Sequence, residues 1–181
     1  EYWQKAVTLV PDSPIYRARL ALAFLETGHL EQARAWLPDK DVLEEKGNRD
    51  HPEFLVAALA SARLAIQTGD ADAARRAALG AIEFLLAHNQ SYPFDTEILK
   101  SIREIASLLL ELGLPVEASH AYQAISYQCP NDPDILASLS NAQYASGQTL
   151  QAAESLQIAV ALAPQDQDLH RKYASVMEAA G

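Results

Sequence analysis

The side chains in this sequence able to serve as ligands, nucleophiles or proton carriers are five histidines, one cysteine and a scatter of carboxylates. A metal centre needs three or four such groups converging on one ion, and a helix supplies them as short repeated spacings such as HExxH. His29, His51, His88, His120 and His170 are instead dispersed, each in a different stretch of chain, and read as helix or loop histidines. Cys129 directly precedes Pro130 and has no histidine nearby in sequence, so it reads as a packed or loop thiol rather than a nucleophile. Glu44 and Glu45 fall in a polar connection, while Asp70 and Asp72 fall at the start of a helix, where negative charge suits the macrodipole. HExxH, GxxxxGK[ST], GxSxG and GxGxxG are all absent. The sequence therefore leads us to expect no enzyme activity, no cofactor and no metal.

The elements that carry these residues follow from composition. Apolar residues make up 49% of the 181, which is enough to build a folded core. Aromatics are only 7%, and Ala and Leu dominate the apolar set, so helices are favoured over sheet. Lys and Arg number 14 against 24 Asp and Glu, and the resulting charge of −10 repels phosphate backbones and anionic lipid. Direct nucleic-acid binding is not expected. No apolar run approaches the roughly 18 residues needed to cross a bilayer, so no membrane span is expected either. A single cysteine rules out an intrachain disulfide and fits a reducing, cytoplasmic setting. The chain does not begin with Met and contains only Met177, so it reads as a piece of something longer.

A period runs through the sequence. Glycines at 28, 69, 113, 147 and 181 are spaced by 41, 44, 34 and 34 residues, each closing an apolar stretch where a helix would need a left-handed turn. Each of the first four is followed five residues later by alanine, at Ala33, Ala74, Ala118 and Ala152. Small residues at a fixed offset allow two helices to cross closely. Prolines keep the same register: Pro11, Pro130 and Pro164 end a unit, and Pro14 and Pro133 begin one behind the caps Ser13 and Asp132. Asp95 and Asp166 can cap in the same way. Between these marks apolar residues recur every three or four positions, as in Leu99, Ile102, Ile105, Ala106, Leu109 and Leu110. Two such helices joined at a glycine make a hairpin with one uncovered apolar side, and stacking the hairpins covers it.

Leu139, Ser140, Gly147, Ala152, Leu156, Ala159 and Pro164, at offsets of 1, 8, 13, 17, 20 and 25 from the first, resemble a tetratricopeptide (TPR) repeat. Ile105, Ala106, Gly113, Ala118, Tyr122, Ile125 and Pro130 fill the same slots one unit earlier, and Leu20, Ala21, Phe24, Gly28, Leu30, Ala33 and Leu37 fill the front of another. The resemblance implies an all-α, right-handed superhelix, a solenoid of stacked antiparallel helix hairpins. It divides the chain into the end of one repeat (1–11), repeats at 14–50, 53–92, 96–130 and 133–164, and the first helix of a last repeat (167–181). Pro38 is expected to end its helix, and the long connections 38–52 and 88–95 interrupt the 34-residue period. The longer early units are similar to the sensor arms of large ATP-dependent LuxR-type transcription activators, which makes a regulatory arm the alternative function.

The resemblance further implies a concave face lined by the first helix of each unit, serving protein–protein interaction with a peptide or a partner domain. In this register the lining comprises Arg19 and Leu22, then Leu59, Arg63 and Ile66, then Arg103 and Ser107, then Asn141 and Tyr144, and finally Arg171. The first two copies are mostly apolar and the later ones mostly polar with several cations, which suits a peptide carrying an apolar stretch and a few acidic groups. The competing expectation is that the early apolar residues are simply packed in the core. TPR proteins that capture a chaperone's C-terminal carboxylate use a Lys and an Asn one turn apart, then an Asn, then a Lys and an Arg. Arg103 and Lys172 stand at two of those places, but Ser107, Ser138 and Asp168 replace the others, so such a site is not expected. The two end helices, each with a face that a further repeat would cover, are expected to self-associate.

Overall fold

A computed structural model describes residues 2–37, 51–88 and 93–180. The described residues form ten helices and no strand: α1 (Tyr2–Leu9), α2 (Pro14–Glu26), α3 (Leu30–Trp36), α4 (Phe54–Gln67), α5 (Ala71–His88), α6 (Thr96–Glu111), α7 (Pro115–Gln128), α8 (Pro133–Ala145), α9 (Thr149–Leu162) and α10 (Gln167–Ala180). They fall into two compact units, Glu1–Ser101 and Ile102–Gly181. In unit 1, α2 packs on α1, α3 and α4, and α4 also packs on α5. In unit 2, α8 packs on α7 and α9, and α9 packs on α10. Most of the two long connections, at 38–50 and 89–92, lies outside the described residues, as does Gly181.

Chain chemistry accounts for where these helices start and stop. Ser13 Oγ accepts the Tyr16 amide at 3.5 Å, and Asp132 Oδ1 accepts the amides of Asp134 and Ile135 at 3.0 and 3.1 Å, each just ahead of a proline in the first turn. Asp95 Oδ1 takes the Ile98 amide at 2.8 Å, and Asp166 Oδ1 takes those of Asp168 and Leu169 at 2.8 and 3.2 Å. These bonds satisfy donors that a helix N-terminus otherwise leaves open. Asp70 Oδ1 accepts from the Ala73 amide at 2.9 Å, so this carboxylate caps α5. At the other end α3 stops at Trp36 after seven residues, with Leu37 extended at φ −61° and ψ 135°. That is the conformation favoured immediately before a proline, here Pro38.

The glycine turns are the recurrent joint. Gly147 has φ +81°, a conformation that costs any residue with a Cβ, and Gly28, Gly69 and Gly113 share it. The residue after each glycine donates its amide back to a carbonyl five positions earlier: His29 to Phe24 at 2.9 Å, and Asp70 to Ala65, Leu114 to Leu109 and Gln148 to Gln143 at 2.8 Å each. This is the long bond of a Schellman C-cap, and it satisfies the helix carbonyls while turning the chain sharply into the next helix.

Close packing inside each hairpin rests on two small-residue slots. Seven positions before the turn glycines stand Ala21, Ala62, Ala106 and Ser140, and five positions after stand Ala33, Ala74, Ala118 and Ala152. All eight are wholly sequestered from solvent. In the hairpin of α8 and α9 the two slots touch directly, since the Ser140 hydroxyl donates to the Ala152 carbonyl at 2.8 Å. One turn away the Ser155 hydroxyl meets Gln143 Oε1, also at 2.8 Å, so the polar groups buried here have partners. Around them Leu136, Ala137, Leu156, Ala159, Leu169 and Val176 form one apolar cluster joining α8, α9 and α10, with Tyr173 packed against its edge.

Candidate functional site

The face expected to bind a partner is built differently in the two units. Helix α4 (FLVAALASARLAIQ) is apolar without interruption from Phe54 to Ala60, so its first half has no polar side, and its polar residues Ser61, Arg63 and Gln67 fall in the second half. Val56 and Leu59 accordingly lie in the core of unit 1, Leu59 with only 1% of its surface exposed. This corrects the expectation that Leu59 lines a groove, because α2, α3 and α5 all pack on α4 and leave that side chain no outlet. Leu22 and Arg63 are half-buried, and Ile66, in the last turn of α4, reaches the surface. Arg19 is taken up internally: its guanidinium lies 5.1 Å from the Trp3 ring centroid, and Nη1 meets Glu97 Oε2 at 3.2 Å.

In unit 2 the candidate residues Arg103, Ser107, Asn141, Tyr144 and Arg171 are exposed. On α8, Ile135, Leu136, Leu139, Ala142 and Gln143 are buried, while Asp134, Asn141 and Tyr144 are exposed at steps of seven and three residues, which is one side of a helix. Tyr144 is 47% exposed despite its ring. On α6, Ile102, Ile105, Ala106 and Leu109 are buried and Arg103 and Ser107 are exposed one turn apart. On α10 the buried seam narrows to Leu169 and Val176, so Arg171 and its neighbours are exposed.

Hydrogen bonds orient these residues. Asp132 uses Oδ1 to cap α8 and Oδ2 to meet Arg103 Nη2 at 3.4 Å, which fixes the guanidinium beside the start of α8. Ser107 Oγ sits 3.1 Å from the Tyr122 hydroxyl of α7 and donates to the Arg103 carbonyl at 3.2 Å. Arg171 pairs with Asp168 one turn earlier on α10. The cations of this face thus each stand beside a carboxylate, and the surface offers both signs of charge. Among the described residues no group of three or more His, Cys, Asp or Glu side chains is placed to hold a metal ion, and no helix is long and apolar enough to cross a membrane.

Solved structures with this arrangement of helices place the fold. The chain matches a MamA mutant at TM-score 0.60 and 19% identity, over 93% of this chain and 83% of that one. It also matches nearly identical TPR-like repeats of a kinesin light chain from Podosopora anserina at TM-score 0.60 and 20% identity, over 94% and 89% of the two chains. The fold is of the TPR type. A thermophilic TPR protein from Thermus thermophilus matches 97% of this chain and 87% of its own at TM-score 0.53 and 20% identity. No protein-family model matches the chain, and no curated protein matches it. In α6 and α8 small or apolar residues such as Ala106, Leu109, Leu139 and Ala142 are buried and polar ones such as Arg103, Ser107 and Asn141 are exposed, a division the sequence pattern shows by itself. Tight burial in unit 1 was not readable in the same way, because the surroundings of α4 are set by contacts with three other helices.

Proposed function

We propose that the protein is a non-catalytic interaction scaffold that holds a peptide or an extended segment of a partner protein against the face formed by Arg103, Ser107, Asn141, Tyr144 and Arg171. The observation that carries this reading is the division of α8, whose buried side is wholly committed to its neighbours while Asn141 and Tyr144 face outward in register. The exposed half of the Tyr144 ring offers a partner rigid contact area with few torsions to freeze. The Asn141 amide can both donate to and accept from an extended peptide backbone. Arg103 and Arg171 offer guanidinium forks to acidic side chains, and the surface pairs they now make are weak enough to exchange.

The alternative of a sensor arm in a transcription activator has no structural observation in its favour. Selection of random dodecapeptides displayed on phage tests the scaffold reading. Binders should be recovered on the wild-type chain and lost on Asn141→Arg/Tyr144→Ala, with helicity and melting temperature unchanged. Binders that survive both substitutions would place the site elsewhere.

A further inference from the structure

In a helical solenoid each repeat touches only its neighbours, and nothing in the stacking requires the first helix pair to reach the third. Unit 1 departs from that rule. Arg19, on α2 of the first helix pair, meets Glu97, in the first turn of α6, with the whole α4–α5 pair between them in the chain. The two partners are unequal: the Arg19 side chain is 15% exposed and the Glu97 side chain 60%. Arg19 is held from behind by the face of Trp3 on α1, whose ring also lies 6.4 Å from that of Tyr16. A guanidinium placed over an indole is attracted by the ring quadrupole and can still donate to a carboxylate. Glu97 approaches it from the solvent side, so one partner is built in and the other is removable.

We propose that Arg19 and Glu97 form a clasp between the first helix pair and the start of the third, one that opens as ionic strength rises or when another carboxylate takes the place of Glu97 on Arg19. The clasp couples two consecutive helices, α1 through Trp3 and α2 through Arg19, to the start of α6, 78 residues on, through Glu97, and closing it limits how far they can separate. It also explains why Arg19, a cation on the first helix of a repeat, is occupied in the free protein. This inference is independent of the partner-binding face on unit 2, since every residue in it belongs to unit 1.

Hydrogen exchange read by mass spectrometry on the full chain tests the clasp. In Arg19→Ala, amides of residues 96–101 should exchange about two- to fivefold faster than in the wild type, although the substitution lies 78 residues away. Glu97→Gln should speed exchange in the same segment and also in α1. In α1, which the α6 dipole does not reach, the double variant should exchange no faster than Arg19→Ala alone, the mark of a shared interaction. Raising NaCl from about 0.05 to 0.5 M should reproduce the α1 effect of Glu97→Gln in the wild type and leave α1 of that variant unmoved. Glu97 also favours the α6 helix dipole, so the response of residues 96–101 to Arg19→Ala decides the matter. If Arg19→Ala speeds exchange only in α1 and α2, or the two effects add in α1, the clasp does not exist. Should Arg19→Ala fold poorly, the α1 response to Glu97→Gln, which the α6 dipole does not touch, decides instead: unchanged exchange in α1 overturns the clasp.

Discussion

Leu59→Ala separates a core position from a groove position more sharply than any other single change. The substitution truncates an isobutyl group to a methyl at a site that is 1% exposed. At about 0.8 kcal/mol per methylene, the lost transfer free energy alone is about 2.4 kcal/mol. A cavity contribution adds to it, because Leu55, Val56 and Ala60 on the same helix are also buried and α2, α3 and α5 hold α4 on several sides, so the gap collapses little. A loss of about 3 kcal/mol is expected, inside the range of about 2–5 kcal/mol for buried Leu→Ala changes. Trp3 and Trp36, the only tryptophans, both lie in unit 1, so their fluorescence follows unfolding of that unit while circular dichroism follows the helices of both units. With a urea m-value of about 1.5–2 kcal/mol/M, the fluorescence midpoint should fall by roughly 1.5–2 M. Ile66→Ala, at a surface position of the same helix, should lower it by less than about 0.5 M. A Leu59→Ala midpoint within about 0.3 M of the wild type would show that the side chain is not in the core, and would restore it to the groove.

Other outcomes follow from the joints and slots of the repeat. Gly147→Ala should destabilise unit 2 by about 1–2 kcal/mol in chemical denaturation, a purely conformational cost because nothing lies within 4 Å of the added Cβ. Gly80→Ala should act in the opposite sense and raise stability by about 0.5–1 kcal/mol, since Gly80 lies inside α5 and its new Cβ would meet Phe54 at an ordinary 3.7 Å. Ser140→Ala should cost about 1 kcal/mol, because it deletes the bond to the Ala152 carbonyl without enlarging the slot. Tyr144→Ala should change the unfolding midpoint by no more than about 0.5 kcal/mol in free-energy terms, since its ring is not part of the core.

The helical joints were legible in the sequence because each rests on a backbone requirement that few residues meet. Glycine at 28, 69, 113 and 147 supplies the left-handed turn, and Ser13, Asp95, Asp132 and Asp166 supply caps within a few residues of their own position. The face on α8 was legible as well, since Asn141 and Tyr144 interrupt an otherwise buried apolar pattern. What escaped the sequence is set by distant chain. Leu59 sits in an unbroken apolar run, Phe54 to Ala60, yet one turn before Arg63 on the same side of α4, so its pattern cannot tell core from groove, and only the helices packed on α4 decide. Arg19 reads as an outward cation because neither Trp3 nor Glu97 is near it along the helix, and the latter lies 78 residues away.

The proposed scaffold role requires the exposed face of α6 and α8 to grip a partner while the opposite sides of those helices hold the fold. A peptide recovered by display, added in excess to the full chain, tests it through its hydrogen-exchange footprint. Protection should concentrate on residues 102–111 and 133–145 and should vanish in Asn141→Arg/Tyr144→Ala. Protection confined to α7 and α9, with α6 and α8 unchanged, would contradict the account.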